Sequence, residues 1–566
     1  MRKFLLTLML LTATFWATAD DFENATLAVK NMGLGWNLGN TLDAHDGDNG
    51  SRITDVVKAE TYWGQPVTKP DLMVMMKEAG FGAIRVPVTW YPHMDSNGKV
   101  DDAWMKRVHE VVDYVLDAGM YCILNVHHDT GAGNTAWLIA DETVYNNTKE
   151  RYENLWKQIA LEFKDYGERL LFESYNEMLD SKRSWCFSSF NTTNRYDAAI
   201  AKSAYSAINS YAQSFVNVVR ATGGNNACRN LVVNTYGACS GSGTWNTHLT
   251  DPLKEMKLPQ DNVQNHLIFE IHSYLDVTNL SNVKKEVDDM IAKLNNHLVS
   301  KGAPVIFGEW GTSNVDAGTD YIDRRENMIA FMRYFIEKCK ENHIGTFYWM
   351  GLSDGMPRSL PAFQQPDLVE AMTQAFYGDS FQAMIPTVDD YELSYTVNYN
   401  GQWQELNLVN SEIVTNDYQS VTVELGKVPA NDLLQVKVYG ASDGKETYQP
   451  VSSSSLSTTV TFDASKLGTK IRRVTLQYTQ SQAYGIGVKR VILTKKDGTE
   501  QEMTPSVFWG CSLSVEAQRK ATGIVSPVWN AVDDHVDGNV YNLSGQRVAH
   551  PSKGIYIYKG RKYVVR

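Results

Sequence analysis

Between Asn31 and about Tyr377, short apolar runs alternate with longer amphipathic stretches eight times. The runs are Gly33–Gly39, Ala83–Trp90, Tyr121–His127, Leu170–Asn176, Asn230–Tyr236, His266–Ser273, Pro304–Glu309 and Gly345–Gly351. Apolar runs of this length set between helical patterns read as parallel strands buried on both faces. The intervening stretches carry helix punctuation: Pro70-Asp71 opens one and Gly80 stops it. Longer examples are Asp101–Gly119, Glu150–Tyr166, Ala198–Arg220, Asn282–Leu298 and Tyr321–Glu341. Eight alternations over this length predict a (β/α)8 TIM barrel with enlarged loops. A doubly wound open sheet is the competing α/β arrangement, but no glycine-rich phosphate turn follows the first strand.

After Met384-Ile385-Pro386 the texture changes. Leu406–Val409, Val421–Leu425, Leu434–Tyr439, Thr458–Phe462 and Val474–Tyr478 alternate with period two between Gly, Asp, Asn and Ser turns, predicting an antiparallel β-sandwich. Sugar binding and simple spacing are its two candidate roles, with Trp403, Tyr439 and Trp509 as possible platform residues and core packing as the alternative for each. From Asn539 onward the acids vanish, while Arg547, Lys553, Lys559, Arg561, Lys562 and Arg566 remain. Val540–Val548 and Gly554–Tyr558 read there as a terminal β-hairpin, either plainly solvated or a surface-sorting tail. The segment resembles C-terminal tails of secreted proteins in some Gram-negative bacteria.

Arg2 and Lys3 precede an apolar stretch from Phe4 to Trp16, and Ala17-Thr18-Ala19 offers a small-residue cleavage site. The stretch is too short to span a bilayer, so it predicts export to the periplasm, cell surface or medium of a bacterium. The expected organisation is a leader over 1–19, a catalytic barrel over 20–385, a β-sandwich over 386–518 and a tail over 519–566. The net charge of −12 disfavours nucleic acid and acidic membrane surfaces as partners. Six Cys (122, 186, 228, 239, 339 and 511) in 566 residues do not make a disulfide framework. A Cys228–Cys239 bridge stays open on sequence grounds. The 14 Trp and 29 Tyr suit stacking on pyranose faces as well as core filling.

Two acids stand out. Glu177 ends the run Leu170–Asn176, and Glu309 ends Pro304–Gly308. A carboxylate at the close of a barrel strand emerges at the C-terminal rim, where barrel enzymes hold their chemistry. Glycosidic bond cleavage needs two such groups, one protonated and one ionised at the same pH. Arg85, in Ile84-Arg85-Val86-Pro87, could hold Glu309 ionised, and the anion at Glu309 would make Glu177 keep its proton.

Seven segments occur in barrel-strand order: Gly35–Asp43, Phe81–Trp90, Asn125–Asp129, Tyr175-Asn176-Glu177, His272-Ser273-Tyr274, Gly308-Glu309-Trp310 and Tyr348-Trp349. Together they resemble glycoside hydrolase family 5, the retaining endo-β-glycanases, over roughly residues 25 to 380. The resemblance implies Glu177 as acid/base and Glu309 as nucleophile. It implies that Asn176 binds the hydroxyl beside the reacting carbon, Tyr274 contacts the nucleophile and His272 sits beside the acid/base. It places His127 at the reacting sugar with His128 close by, Trp349 stacked beneath that sugar, and Asn40 and Asp43 on the next sugar. Trp63, a loop aromatic in Tyr62-Trp63-Gly64, would add stacking. Met178-Leu179-Asp180 departs from the Pro that many members carry after the acid/base, so the loop there is an open question. The following insert Ser181–Asn194, with Trp185, either shapes the leaving-group side or is a surface loop.

His127-His128-Asp129 invites a metal reading. Adjacent strand residues point to opposite faces, however, so one ion is not expected to hold both rings. No cofactor is implied, since two carboxylates need only water as second substrate. The expected activity is endo-cleavage of β-1,4 bonds in cellulose-like or mixed-linkage glucan. Xyloglucan, mannan and xylan are alternatives, and a non-catalytic sugar-binding barrel is the contrasting class.

Overall fold

In the computed structural model the described residues are 22–46, 53–185, 196–244, 246–313, 321–410, 413–414, 416–429, 433–440, 446–450, 458–463, 470–520, 540–542, 554–558 and 561–565. The leader, Cys186 and most of the insert after Trp185 lie outside them. The chain divides into two compact units, Met1–Val388 and Asp389–Arg566.

The first unit is a closed parallel barrel of eight strands in sequence order. They are β1 (Leu34–Asn37), β2 (Phe81–Val86), β3 (Tyr121–Asn125), β4 (Leu170–Glu173), β5 (Leu231–Cys239), β6 (Leu267–Asp276), β7 (Val305–Ser313) and β8 (Gly345–Tyr348). All eight expected strands are present. Their near-continuous apolar character follows from burial on both faces. Ala83, Ile123, Leu171, Val232, Ile268, Ile306 and Phe347 pack together inside the barrel. Ile84, Cys122, Phe172, Val233, Phe269 and Phe307, one position away on each strand, pack outward under the helices.

An additional helix, Ala25–Met32, precedes the first strand and packs Ala25, Ala28, Val29 and Met32 into the inner cluster. Asn24 caps it, accepting from the Leu27 amide at 3.0 Å. The outer helices Pro70–Ala79, Asp102–Asp117, Ala198–Ala221, Leu280–His297 and Tyr321–Glu341 follow the expected spans closely, whereas the helix expected over Glu150–Tyr166 runs from Glu142 to Glu162, opened by Asp141 as its cap. Among the described residues no helix is long and apolar enough to cross a membrane. No Cys228–Cys239 bridge forms; the two thiols donate instead to the carbonyls of Asn225 and Leu249.

The second unit carries β9 (Tyr391–Tyr399), β10 (Glu405–Val409), β11 (Ile413–Val414), β12 (Tyr418–Leu425), β13 (Leu434–Gly440), β14 (Glu446–Pro450), β15 (Thr459–Asp463), β16 (Lys470–Tyr478), β17 (Tyr484–Lys495), β18 (Glu500–Glu502), β19 (Ser506–Trp509) and β20 (Ser512–Arg519). These form two antiparallel sheets, β14-β13-β16-β10-β19 with β11 on β16, and β15-β12-β17-β9-β20 with β18 on β17. Val436, Leu476 and Leu406 from one sheet and Val423, Val397 and Val491 from the other are buried, as a sandwich requires. The C-terminal segment exceeds the expected hairpin by one strand: Val540–Asn542, Gly554–Tyr558 and Arg561–Val565 pair as a three-stranded sheet.

Candidate active site

Toward the C-terminal ends of the barrel strands the apolar interior gives way to a polar layer. Arg85 on β2 and Glu173 on β4 are fully buried, as is Glu270 on β6. Arg85 spends all five of its donors. Its Nε and Nη2 make a bidentate pair with Glu173 at 2.6 and 2.8 Å, and Nη2 also reaches Asn176 Oδ1 at 2.8 Å. Its Nη1 donates to Asn37 Oδ1 at 3.0 Å and to Glu309 Oε1 at 2.9 Å. The planar fork of a guanidinium suits this division of labour; a lysine ammonium has three donors and no plane.

Glu309 therefore takes a charged hydrogen bond from Arg85 on one oxygen. Tyr274 donates to the other at 2.7 Å. Glu177 hydrogen-bonds His272 Nδ1 at 2.8 Å, and the opposite nitrogen of that ring lies 3.1 Å from Glu270. One carboxylate oxygen each from Glu177 and Glu309 lie within 4.8 Å of one another, with His272 between them.

The charges in this cluster are legible from its geometry. Burial and the nearby Glu309 charge push the Glu177 carboxyl up, against the pull of His272. Burial pushes Glu270 up to about 8, helped by Glu173. The buried His272 is driven up to about 10, because Glu309, Glu177 and Glu270 together outweigh its desolvation. Arg85 holds Glu173 below its ordinary value despite burial. Two cations, Arg85 and His272, thus balance two carboxylates, Glu173 and Glu309. Glu270 keeps its proton at neutral pH, and burial favours the protonated form of Glu177.

Backbone irregularity aims Glu309. On β7, Ile306 faces inward and Phe307 outward, so simple alternation would send residue 309 outward too. The β6–β7 register instead pairs Ile271 with Phe307 and His272 with Glu309, leaving Gly308 as an extra residue. A bulge of this kind turns the following side chain toward the cleft. Glycine is required there: a Cβ on residue 308 would lie 1.6 Å from Glu270 Oε1.

Around this pair stand the remaining predicted residues. The Oδ1 of Asn176 is taken by Arg85, which cannot accept, so its Nδ2 faces away as a donor. His127 stacks parallel to Trp349 at 5.7 Å, and Trp349 lies flat on Gly39, where a Cβ would meet its ring at 2.9 Å. Asp43 accepts from the amides of Thr41 and Asn40 at 2.7 and 3.1 Å, and burial pushes it up to about 7. Asn40 adopts a left-handed φ of 58°, which Asn tolerates better than most residues. Trp63 packs edge-on against His128 and at a tilt against His45.

Three expectations need correction. Glu177 does not close a strand: β4 stops at Glu173, and Ser174–Asn176 carries the chain on to the rim. Glu309 likewise is not terminal, since β7 continues to Ser313. His127 and His128 do not point to opposite faces; their rings meet at 4.4 Å. β3 ends at Asn125, so strand alternation no longer governs them. Asp43, His127 and His128 offer ligand atoms within 4.8 Å of one another, so the alternation argument against shared metal ligation loses its ground. Burial holds both rings neutral, pushing His128 down to about 3 and His127 well below its usual value.

Glu173, Glu270, Asn37 and Asn125 were not singled out from sequence. A signal existed: Leu170-Leu171-Phe172-Glu173 and Leu267-Ile268-Phe269-Glu270 each place one acid at the same point of an apolar strand, as Ile84-Arg85-Val86 places a base. Buried charges must pair. The loop after Glu177 is tightly held: Met178 and Leu179 are buried, and Asp180 takes the Lys182 and Ser184 amides.

Residues 47–354 match the family model described as cellulase (glycosyl hydrolase family 5). Among solved structures, a broad specificity endoglucanase from an uncultured bacterium is 58% identical with a TM-score of 0.60, covering 63% of this chain and 96% of that one. A glycoside hydrolase family 5 enzyme from Prevotella bryantii, in complex with a xyloglucan tetradecasaccharide, is 41% identical with a TM-score of 0.56, covering 63% and 99%. Endoglucanase A of Clostridium longisporum is 32% identical over 349 residues, which is 58% of this chain and 60% of that relative's length.

Proposed function

This chain belongs to the cellulase family, glycosyl hydrolase family 5, and we propose that it is an endo-acting glycosidase cleaving internal β-1,4-glucosidic bonds with retention of configuration. One observation carries the mechanism: the carboxyl groups of Glu177 and Glu309 approach within 4.8 Å, close to the ~5 Å separation of retaining enzymes and too near to admit an inverting water. Glu309 attacks the anomeric carbon as the glycosidic C–O bond breaks, and Glu177 passes its proton to the leaving oxygen. The second half reverses these roles. Glu177 takes a proton from water, the resulting hydroxide displaces Glu309, and the sugar leaves with its original configuration.

The surrounding groups fit their tasks. Arg85 and Tyr274 hold Glu309 in line. The cationic His272 offsets the negative charge that Glu177 acquires when its proton departs. The Nδ2 of Asn176 serves the hydroxyl next to the reacting carbon, and Trp349 forms the floor.

Cellulose-like and mixed-linkage glucans are the primary substrates in this reading. Xyloglucan is a second, favoured by a cavity of about 540 Å³ beside the reaction point, lined by Tyr274, Gly311, Trp349, Asp354 and Gln365, with room for side branches. The similar Prevotella bryantii enzyme binds a xyloglucan oligosaccharide. Export of the enzyme is part of the proposal and rests on the leader-like N-terminus. Reducing-sugar release from carboxymethylcellulose, barley glucan, xyloglucan and glucomannan tests the activity. Release from the first three with the β-anomer appearing first is expected. Inversion, or no release from any of them, would defeat it.

A further inference from the structure

The outer face of the β14-β13-β16-β10-β19 sheet is unlike an ordinary solvated sheet face. Alternation sends Leu434, Val436, Leu476 and Leu406 to the core and leaves Gln435, Lys437, Gln477, Thr475 and Glu405 outside. Outward polar groups should be wet, yet Glu405 is only 5% exposed and Gln477 and Thr475 are buried as well. What shields them is a set of aromatic side chains that are themselves in solvent: Trp403 is 49% and Trp509 57% exposed. These two and Tyr448 line a groove of about 580 Å³ whose base is Glu405, Gln435, Lys437 and Gln477. That volume falls in the usual range of small-ligand sites.

The base is built. Gln435 pairs with Gln477, Gln477 with Glu405 and Glu405 with Trp509 in one cross-strand row. Glu405 accepts from Gln477 Nε2 at 2.8 Å, Thr475 Oγ1 at 2.7 Å and Tyr439 OH at 2.8 Å, while Gln435 Nε2 donates to Gln477 Oε1 at 2.6 Å. Lys437 is held between Glu405 at 3.3 Å and Glu446 at 3.1 Å, so its single positive charge meets two carboxylates and the base of the groove leans negative.

The aromatic wall is held out at a conformational cost. Trp403 has φ +68°, a left-handed backbone that a bulky side chain rarely adopts. Its amide is tied to the Tyr478 carbonyl at 2.8 Å, fixing the turn that projects the indole. Gly510, at φ +73°, directly follows Trp509 and packs on Gln404 of the same turn. Strain that keeps an indole in water points to a use for that indole.

We infer that this groove binds an uncharged β-linked glycan chain, as a second sugar site separate from the barrel cleft. Sugars with equatorial substituents present flat C–H faces to aromatic rings and hydroxyls to carboxylate and amide groups, and this groove supplies both. Its excess of carboxylate over lysine disfavours acidic glycans, and its polar base disfavours apolar peptide segments. The inference is independent of the barrel's chemistry.

The test uses the full chain carrying Glu309→Ala, so that gels are not digested. Migration is measured in native gels cast with barley glucan, glucomannan or polygalacturonate. The added pair Trp403→Gly and Trp509→Ala should weaken retention in the neutral glycans at least about tenfold. Trp403→Tyr with Trp509→Tyr should restore most of it. Trp403→Gly alone should melt no lower than its parent, since glycine accepts that backbone. With Glu309 left intact, the same tryptophan variants should cleave a short soluble oligosaccharide at the wild-type rate. Unchanged retention in the double variant, or retardation confined to polygalacturonate, would overturn the inference.

Discussion

Among single residues Arg85 holds the site together, joining Glu173, Asn37, Asn176 and Glu309 through five donors. Arg85→Lys keeps the charge but loses the fork. Leaving buried carboxylates short of partners costs about 3–5 kcal/mol, so kcat/KM should fall by at least about 100-fold with a lower melting temperature. Wild-type kinetics in that variant would remove Arg85 from the proposed role. Glu270 gives a second prediction, with a sign. Its folded pKa of about 8 lies above the ordinary 4.5, so the folded protein binds the extra proton between those values. Stability from this group is therefore lost as pH rises from about 4.5 to 8. Glu270→Gln cannot ionise, and its melting temperature should gain on wild type steadily across that window. A constant or shrinking difference would contradict the protonated state assigned to Glu270.

Among elements, β7 shows what the amino-acid pattern disclosed and what it hid. The run Pro304–Glu309 was readable as a barrel strand, and the seven segments carried the family resemblance. The bulge at Gly308 was not readable, because it depends on how β6 and β7 register in space. Glu173 and Glu270 stayed hidden for a similar reason. Each looks like a stray charge until β2, β4 and β6 close around Arg85. His127 and His128 misled because the strand pattern was carried two residues past the end of β3. Gly308→Ala tests the bulge. Its methyl must displace Glu270 or the β7 backbone, at about 1–3 kcal/mol of overpacking. Because Glu309 is the next residue, kcat should drop by at least about tenfold even in the folded fraction. Full activity at a reduced melting temperature would make Gly308 a packing residue alone.

For the molecule as a whole, the buried charges make stability depend on pH from both sides. His272 has a folded pKa of about 10 against an ordinary 6.5, so its contribution is complete below 6.5 and disappears as pH climbs through 10. Glu270 adds a loss over the lower part of that range. In acid, His127 and His128 act oppositely: the unfolded chain protonates near 6.5 while the fold keeps both rings neutral, so stability falls as pH drops toward 3. Asp43, pushed up to about 7, partly offsets that acid loss. Melting temperature should thus decline from pH 7 to 10, and a flat or rising profile there would refute the charge assignment. Retention of configuration depends on one bond, between a sugar and Glu309. A 2-deoxy-2-fluoro cello-oligosaccharide with a good leaving group should slow the second half of the reaction and leave the sugar attached. Peptide mapping by mass spectrometry should then find the label on Glu309. Label on Glu177 or on another side chain would contradict the account, as would an unlabelled enzyme that releases the inverted product.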